Sequence, residues 1–272
     1  MKISNVPFGL SLTFILSTLL LSGCDRLFEY TPYSASVRAD MKETRVQNRD
    51  KISMLKQKIG PDEPIKFAVV ADNHGYFHDL ARAVDMISND SSILFVIHAG
   101  DMADGGFLKE YETFHGIMGR LQKPYFTVIG NHDVLVNGRA IYKQMFGPEN
   151  YSFSFHDIKF VFFNNVVLEL TPELPDFDWL GQQLSEKEDY RHVFVISHVP
   201  PWDDTYTPEL SEKYKTMMVD YHVSLSIHGH HHYPNQLDED GITYLVGGAP
   251  QMGVYRVIEV DEETITIHTN SI

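Results

Sequence analysis

Five stretches of this 272-residue chain decide its fold, and the first is IKFAVVADNH (65–74). The others are ILFVIHAGDMAD (93–104), YFTVIGNHD (125–133), VFVISH (193–198) and VSLSIHGHHH (223–232). Each is a short run of apolar and β-branched residues that ends in acidic, amide or histidine side chains. Such runs predict buried β-strands, and ligands in α/β folds bind at the carboxyl ends of the strands. The sequence therefore predicts one site, assembled from five strand ends.

Further strands and helices alternate along the chain. Strands are predicted at 67–71, 93–97, 125–129, 151–155, 159–164, 193–196, 223–227, 242–245, 253–260 and 264–268. Helices are predicted at 78–88, 108–121, 139–146, 177–186 and 210–221. Alternating units of this kind often extend past about 200 residues as one domain, so the length requires no second domain.

The N-terminus has the composition of an export signal. An apolar stretch, Val6–Leu21, runs into LSGC (21–24), which resembles the lipobox of a bacterial lipoprotein. The stretch is short for a membrane span and lies where the core of a signal lies, although a retained membrane anchor is the alternative. We predict a signal peptide at 1–23 and lipidation of Cys24, which would hold the protein on the outer face of the cytoplasmic membrane. In a Gram-negative cell this is the periplasmic side, and Asp25 resembles the signal for retention there.

Residues 24–64 are expected to connect this anchor to the folded domain. The segment is polar and predicts a helix near Val37–Ile59, which the Gly60-Pro61 pair ends. Its charges predict a solvated helix on a tether. Cys24 is the only cysteine of the chain, so the exported domain must be stable without disulfides.

The chain is acidic, with a formal net charge of −15 and a pI near 5.3. Binding to a phosphate backbone relies on clustered Lys and Arg, so nucleic acid is not expected as a partner. An anionic substrate would have to be held by local positive charge, which metal ions would supply. We expect a monomer.

The five clusters resemble the calcineurin-like metallophosphoesterase superfamily. Its pattern D-x-H, G-D-x-x-D-x-G, G-N-H-[DE], H and G-H-x-H is matched here at every position, and the resemblance covers residues 65–272. A single motif of this kind occurs by chance in many proteins, but five in the family's order do not. The resemblance implies an α/β fold, a four-layer αββα sandwich of two mixed β-sheets flanked by helices.

The resemblance also implies two divalent metal ions and assigns their ligands. Asp101 would bridge the ions, with Asp72, His74 and His232 completing the first site and Asn131, His198 and His230 completing the second. Mixed nitrogen and oxygen donors suit Mn, Fe, Zn or Co better than Ca or Mg. Two ions about 4 Å apart can grip a phosphate, activate a bound water and stabilise the attacking and leaving oxygens.

His132 would carry the proton chemistry in this family, because it follows a ligand without being one. It would act as general acid toward the leaving group, with metal-bound hydroxide as the nucleophile. We expect Asp133 to hold the His132 imidazole in its tautomer, and Asp104 to lie outside the ligand set. The implied activity is that of a phosphohydrolase that cleaves phosphate mono- or diesters.

Several of these residues have a structural alternative. Any one motif could be a helix cap or a loop. The fifth cluster has more histidines than its motif requires, so His228 is an alternative ligand, and His231 is expected to be exposed or structural. His98 continues a strand and is expected to be a core histidine.

The substrate is less determined than the reaction. Trp202 and Tyr233 follow predicted ligands and could stack on a base or a sugar, or pack in the core. Arg139 and Lys143 could meet a phosphate, or lie on a solvated helix face. A small phosphate ester is expected, with a nucleotide or a lipid phosphate among the candidates. The alternative function is a lipoprotein that binds metal or a phosphorylated ligand without turning it over.

Overall fold

The fold follows from how the apolar runs pair. The computed structural model describes residues 31, 33–167, 174–186 and 190–272. The predicted signal peptide and Cys24 lie outside the described residues. Eleven strands are described: β1 Ile65–Val70, β2 Phe95–His98, β3 Tyr125–Thr127, β4 Tyr151–Phe155, β5 Ile158–Phe162, β6 His192–Ile196, β7 Leu225–His228, β8 Asn235–Glu239, β9 Ile242–Val246, β10 Val254–Val260 and β11 Ile265–Ser271.

These strands form two mixed sheets. The first has the order β11-β10-β1-β2-β3, in which β1, β2 and β3 are parallel and β10 and β11 are antiparallel neighbours. The second has the order β4-β5-β6-β7-β9-β8, with a parallel centre from β5 to β9 and antiparallel strands at both edges. Parallel neighbours direct their carboxyl ends to one edge, so each sheet gathers its clusters there.

The described residues form six α-helices, and the last five of them cover the outer faces of the sheets. They are α1 Thr44–Lys56, α2 Phe77–Asn89, α3 Leu108–Met118, α4 Gly138–Phe146, α5 Phe177–Ser185 and α6 Pro208–Asp220, with short 3₁₀ turns at Ala39–Met41 and Pro250–Met252. In α2 the buried residues are Leu80, Ala83, Val84 and Ile87, which recur at helical spacing and form one apolar stripe. Two N-termini carry side-chain caps, because Asp176 accepts from Trp179 N at 3.0 Å and Thr207 from Leu210 N at 3.3 Å.

The core has three apolar layers. The middle layer lies between the sheets and is rich in phenylalanine, for example Phe67 stacked on Phe95 at 5.1 Å between ring centroids. The second layer packs α2, α3 and α4 on the first sheet, and the third packs α5 and α6 on the second sheet. The predicted four-layer αββα sandwich is confirmed.

One local prediction is wrong, and one strand was not predicted. The helix near the start, α1, is not solvated: it buries Arg45 and Ile52, and the Arg45 guanidinium donates to Pro148 O at 2.7 Å and lies 3.4 Å from the centre of the Tyr151 ring. The edge strand β8 was not predicted, because four of its five residues are exposed and none forms an apolar alternation. The part of the chain that the structure describes contains no helix of the length and hydropathy that a membrane span requires.

Candidate metal centre

The five clusters meet where the carboxyl ends of the parallel strands in the two sheets lie close together. Asp72 follows β1, Asp101 follows β2 and Asn131 follows β3, while His198 follows β6 and His230 follows β7. Four predicted ligands adopt left-handed backbone conformations, with φ of 53° at Asp72, 42° at His74, 58° at Asp101 and 67° at His230. Non-glycine residues seldom adopt this region, and such strain concentrates at functional sites. Four of the seven predicted ligands therefore have strained backbone conformations.

Glycines allow the clusters to approach this closely. A Cβ atom on Gly100 would lie 2.3 Å from His198 Nδ1, and one on Gly130 would lie 2.2 Å from Asp101 Oδ1. Gly100 also has a φ of +98°, which L side chains rarely adopt. The glycines that precede Asp101 and Asn131 are therefore required by the contact between neighbouring clusters.

The first predicted ligand set comes together. One ligand atom from each of Asp72, His74 and His232 lies within 4.8 Å of the others. The Nε2 atoms of His74 and His232 face each other at 3.2 Å, and two neutral imidazoles can share only one proton across such a contact. Asp72 Oδ1 accepts from His230 N at 2.8 Å, whereas its buried Oδ2 has no hydrogen-bond partner among the described residues.

The second predicted set also comes together. Asp101, His198 and His230 each bring one ligand atom within 4.8 Å of the others. Asn131 Oδ1 lies 3.0 Å from His198 Nε2 and 3.0 Å from His230 Nδ1, so it belongs to the same set. The opposite nitrogen of His198, Nδ1, donates to Ala99 O at 2.8 Å, which fixes the ring.

Asp101 connects the two sets. Its Oδ2 lies 3.2 Å from His198 Nε2 and 3.6 Å from His74 Nε2, while Oδ1 accepts from His132 N at 2.9 Å. Only 2% of the side chain is exposed. One buried carboxylate oxygen therefore faces a histidine of each set.

The buried carboxylates and imidazoles of this cluster shift one another's pKa values. Burial raises the pKa of Asp72 to about 8, against the opposing charge of His198. Burial alone would raise the pKa of Asp101, but the charge and the hydrogen bond of His198 outweigh burial and lower it. His198 is held protonated in return, because Asp101 outweighs burial and raises its pKa to about 10. Protons thus balance the carboxylates in this arrangement, and divalent cations would replace them.

The residues fit metal ions. Two imidazole nitrogens face each other at 3.2 Å, a fully buried carboxylate oxygen has no hydrogen-bond partner among the described residues, and the ligand atoms are the nitrogen and oxygen mixture that transition metals prefer. A third group, His74, Asp104 and His132, also has ligand atoms within 4.8 Å, but it shares His74 with the first set and includes the exposed Asp104.

His132 lies at the open side of this cluster. Its ring contacts the His74 ring edge-on at 4.5 Å, and 36% of its side chain is exposed. Its Nδ1 donates to the backbone oxygen of Asp104 at 2.6 Å. Asp104 therefore fixes the tautomer of His132, with its backbone oxygen rather than its side chain.

The role predicted for Asp133 is wrong. Its carboxylate accepts from three backbone N–H groups, those of Asp101 at 2.9 Å, Ala103 at 3.0 Å and Gly130 at 2.9 Å. It is fully buried, and burial raises its pKa, although these N–H groups oppose the shift. Asp133 thus ties the second cluster to the third and does not hold the His132 imidazole.

Two further histidines are parts of the core. His228 places Nε2 2.8 Å from Ser226 Oγ and Nδ1 3.2 Å from Ser197 Oγ, so both nitrogens are used away from the metal centre. The alternative of His228 as a ligand therefore fails. His98 donates to Asn73 Oδ1 at 2.8 Å and is fully buried, as expected for a core histidine.

The residues considered for substrate contact have mixed outcomes. Arg139 and Lys143 both pair with Glu149, at 2.6 Å and 3.3 Å, so neither is directed at the metal centre by these contacts. Trp202 is half-buried and packs against His228, His231 and Tyr244. Tyr233 is 72% exposed beside the last predicted ligand, His232.

Two contacts of the centre were not anticipated from the sequence. Gln251 Nε2 donates to Asp72 O at 2.9 Å, and Asp203 Oδ2 lies 3.3 Å from His230 Nε2 and 2.8 Å from His231 Nε2. Asp203 follows the fourth cluster in the same loop as Trp202. An acidic residue soon after a predicted ligand could have been considered as a contact of the centre, but nothing in the sequence distinguishes Asp203 from the adjacent Asp204.

The sequence pattern and the geometry agree with a known family. The model of the calcineurin-like phosphoesterase family matches residues 65–234, more than half of the chain, and the chain belongs to this family. No curated protein sequence matches the chain.

Solved structures share the fold at low sequence identity. GAP50, the anchor in the inner membrane complex of Plasmodium, is 17% identical with a TM-score of 0.62, over 76% of this chain and 84% of its own. The purple acid phosphatase PPD1 from yellow lupin is 12% identical with a TM-score of 0.62, over 77% of this chain and 52% of its own, so this chain spans about half of the lupin protein. TT1561 of Thermus thermophilus is 14% identical with a TM-score of 0.55, over 77% and 99%. An anchor and a phosphatase share this fold, so activity must be argued from the site.

Proposed function

We propose that this protein is a dinuclear metal-dependent phosphohydrolase that cleaves phosphate mono- or diesters. The observation that carries the proposal is the position of Asp101 Oδ2, which faces a histidine from each ligand set at 3.2 and 3.6 Å. A carboxylate in this position can bridge two cations of Mn, Fe, Zn or Co. Such a pair, when bound, supplies a nucleophile at neutral pH and charge stabilisation for the phosphoryl group.

His132 is proposed as the general acid. Breaking the ester bond to phosphorus leaves negative charge on the leaving oxygen, which needs a proton unless the alcohol is already acidic. The Asp104 backbone oxygen binds the Nδ1 proton of His132, which leaves Nε2 for this transfer. Partial exposure of the side chain allows contact with a substrate.

The test uses full-length protein, purified in detergent and stripped of metal with a chelator. Mn, Zn, Fe, Co and Mg are returned singly, and hydrolysis of p-nitrophenyl phosphate and bis-p-nitrophenyl phosphate is measured in parallel. We expect hydrolysis to return at about two ions per chain, a ratio that follows from the dinuclear mechanism. Full activity with metal removed would refute the proposal, and the preferred ester would separate a monoesterase from a diesterase.

A lipoprotein that binds metal or a phosphorylated ligand without turnover is the second candidate. The fold is compatible with it, because GAP50, the anchor in the inner membrane complex of Plasmodium, shares this fold. A binding protein needs the ligands but not His132 held by Asp104. Two tightly bound ions without hydrolysis of either ester would favour this candidate.

We also propose that Cys24 is lipidated after removal of residues 1–23, and that the lipid holds the domain on the outer face of the cytoplasmic membrane. The LSGC sequence at 21–24 supports this. Labelling cells with a fatty-acid probe should mark the wild type and not Cys24→Ser, and the variant should leave the membrane fraction. The proposed partner is a small phosphate ester met by a monomer, with no nucleic acid.

A further inference from the structure

The loop between β6 and α6 carries an acid that faces the second ligand set. Asp203 Oδ2 lies 3.3 Å from His230 Nε2 and 2.8 Å from His231 Nε2. Its side chain is only 12% exposed. The two histidines are consecutive, but His231 is more exposed than His230, at 37% against 20%.

The two nitrogens of His230 face opposite ways. Nδ1 lies 3.0 Å from Asn131 Oδ1, another ligand of the same set, while Nε2 faces Asp203. An ionised carboxylate can only accept, so when a cation takes the place of the proton between Nδ1 and Asn131 Oδ1, the one proton of neutral His230 lies on Nε2, facing Asp203. Nδ1 is then the nitrogen with a free lone pair inside the ligand set.

Asp203 is itself held in one orientation. Its Oδ1 accepts from Thr205 N at 2.9 Å and from Thr205 Oγ1 at 2.7 Å. The loop is closed by Asp203 N donating to Pro200 O at 3.1 Å and Tyr206 N donating to Asp203 O at 3.0 Å. The same loop begins directly after His198, so it follows one predicted ligand of this set and contacts another, His230, through Asp203.

We propose that Asp203 is the positioning residue of the second ligand set, which fixes the tautomer and ring orientation of His230 so that Nδ1 faces the cation. This rests on the proposed function, because it presumes that Asn131, His198 and His230 hold an ion. Histidine ligands commonly donate their second ring N–H to a carboxylate, and loss of such a partner weakens metal affinity by about 10–100-fold.

The experiment titrates full-length protein in detergent with Mn²⁺ and follows bound ions by electron paramagnetic resonance. In Asp203→Asn we expect one of two ions to bind about 10–100-fold more weakly while the other is unchanged. The spin-coupled signal of the ion pair should then appear only at higher Mn²⁺. In saturating Mn²⁺ we expect kcat to recover, with KM near the wild-type value. A variant that had lost a structural element would keep a low kcat even in saturating Mn²⁺.

Two control variants separate the route of the effect. Asp204→Asn removes one charge from the exposed neighbouring position and should bind Mn²⁺ as the wild type does. His231→Gln removes the other group that meets Asp203 Oδ2 and should also leave both affinities unchanged. A loss in His231→Gln equal to that in Asp203→Asn would overturn the proposal, because Asp203 would then act through His231.

The outcomes remain decisive if Asp203→Asn does not fold. Thr205→Val removes one of the two hydrogen bonds that orient Asp203, and weaker binding of one ion in this variant would support the proposal. Wild-type affinity for both ions in a folded Asp203→Asn or in Thr205→Val would overturn it. A wild type that binds fewer than two ions would contradict the proposed function instead, whatever the variants do.

Discussion

Histidines in the same sequence clusters occupy two different regions of this molecule. His98 and His228 are the last residues of β2 and β7, and their nitrogens meet Asn73, Ser197 and Ser226. A few residues on, His230 and the other ligand histidines follow strand ends, and their nitrogens meet carboxylates, an amide oxygen or each other. The role of each histidine is therefore set by what its nitrogens face, and not by its neighbours in sequence.

Burial alone does not separate these two regions. His198 is as buried as His98 and His228, with no exposed surface. Burial lowers the pKa of His98 and of His228 to about 3, whereas Asp101 raises that of His198 to about 10 in spite of burial. The core region keeps its imidazoles neutral with neutral partners, while the metal region concentrates opposite charges that a cation can reorganise.

The largest effect is expected where the ligand histidines converge. Asp101→Asn should lose both ions and with them all measurable hydrolysis, because the amide cannot supply the bridging charge. The fold should survive, since the amide oxygen can still accept from His132 N, as Asp101 Oδ1 does at 2.9 Å. Metal content by mass spectrometry and turnover of both p-nitrophenyl esters measure this.

Asp104→Asn is the matched control for that change. It removes the same charge from a side chain that is 65% exposed, and its backbone oxygen still meets His132. We expect normal metal content. An equal loss of metal in both variants would move the first ion toward His74, Asp104 and His132.

The next largest effect concerns the one histidine at the open side. His132→Ala should keep both ions and lose about 10²–10⁴-fold in kcat, the usual contribution of a general acid. The loss should be greater for an alkyl phosphate than for p-nitrophenyl phosphate, because only the poorer leaving group requires a proton. Equal losses for both esters would contradict the acid role.

The sequence alone predicts the strands well, and the structure brings the predicted ligands together at the strand ends, for a physical reason. Buried parallel strands need continuous apolar runs, so acidic, amide and histidine side chains that directly follow such runs stand out in the sequence. The glycines of two of these motifs have a reason that the structure supplies, since Gly100 and Gly130 leave room for His198 and Asp101.

The rest depends on contacts that a single sequence does not encode. Asp133 directly follows His132, yet its carboxylate meets backbone N–H groups, because consecutive loop residues face different ways. The docking of α1 depends on Arg45 lying over the ring of Tyr151, more than a hundred positions away. The charged residues of the helix predict a solvated helix instead, so the sequence does not reveal this contact. Strand β8 has no apolar pattern because its edge faces solvent.

Between the two regions lies Gly100, and its replacement should cost stability. Gly100→Ala combines a strained φ of +98° with a Cβ 2.3 Å from His198 Nδ1, so we expect a loss of about 3 kcal/mol in the free energy of unfolding. Gly116→Ala is the control, because Gly116 is exposed in α3 with no atom within 4 Å of the added Cβ. This variant should gain about 0.5–1 kcal/mol. Urea denaturation measures both, and a harmless Gly100→Ala would mean that His198 is not held against the second cluster.

The effect that is smallest near neutral pH is expected in the core region and appears as a pH slope. Asn73 Nδ2 donates to His74 O and Met102 O, so Asn73 Oδ1 needs a donor, and His98 Nε2–H supplies it from the neutral ring. The folded-state pKa of His98, about 3, lies below the unfolded value of 6.5. Between these values the unfolded chain binds a proton that the folded chain does not, so stability is complete above pH 6.5 and falls as the pH falls. One such group contributes at most about 1.4 kcal/mol per pH unit.

His98→Gln removes this titration while its amide can still donate to Asn73. The variant should be less stable at pH 7, but its free energy of unfolding should fall less between pH 6.5 and pH 4 than that of the wild type. Urea denaturation across this range, with the metal region titrating equally in both proteins, isolates the difference. Parallel pH profiles would mean that His98 is already protonated in the folded state, and the distinction between core and ligand histidines would then lose its electrostatic basis.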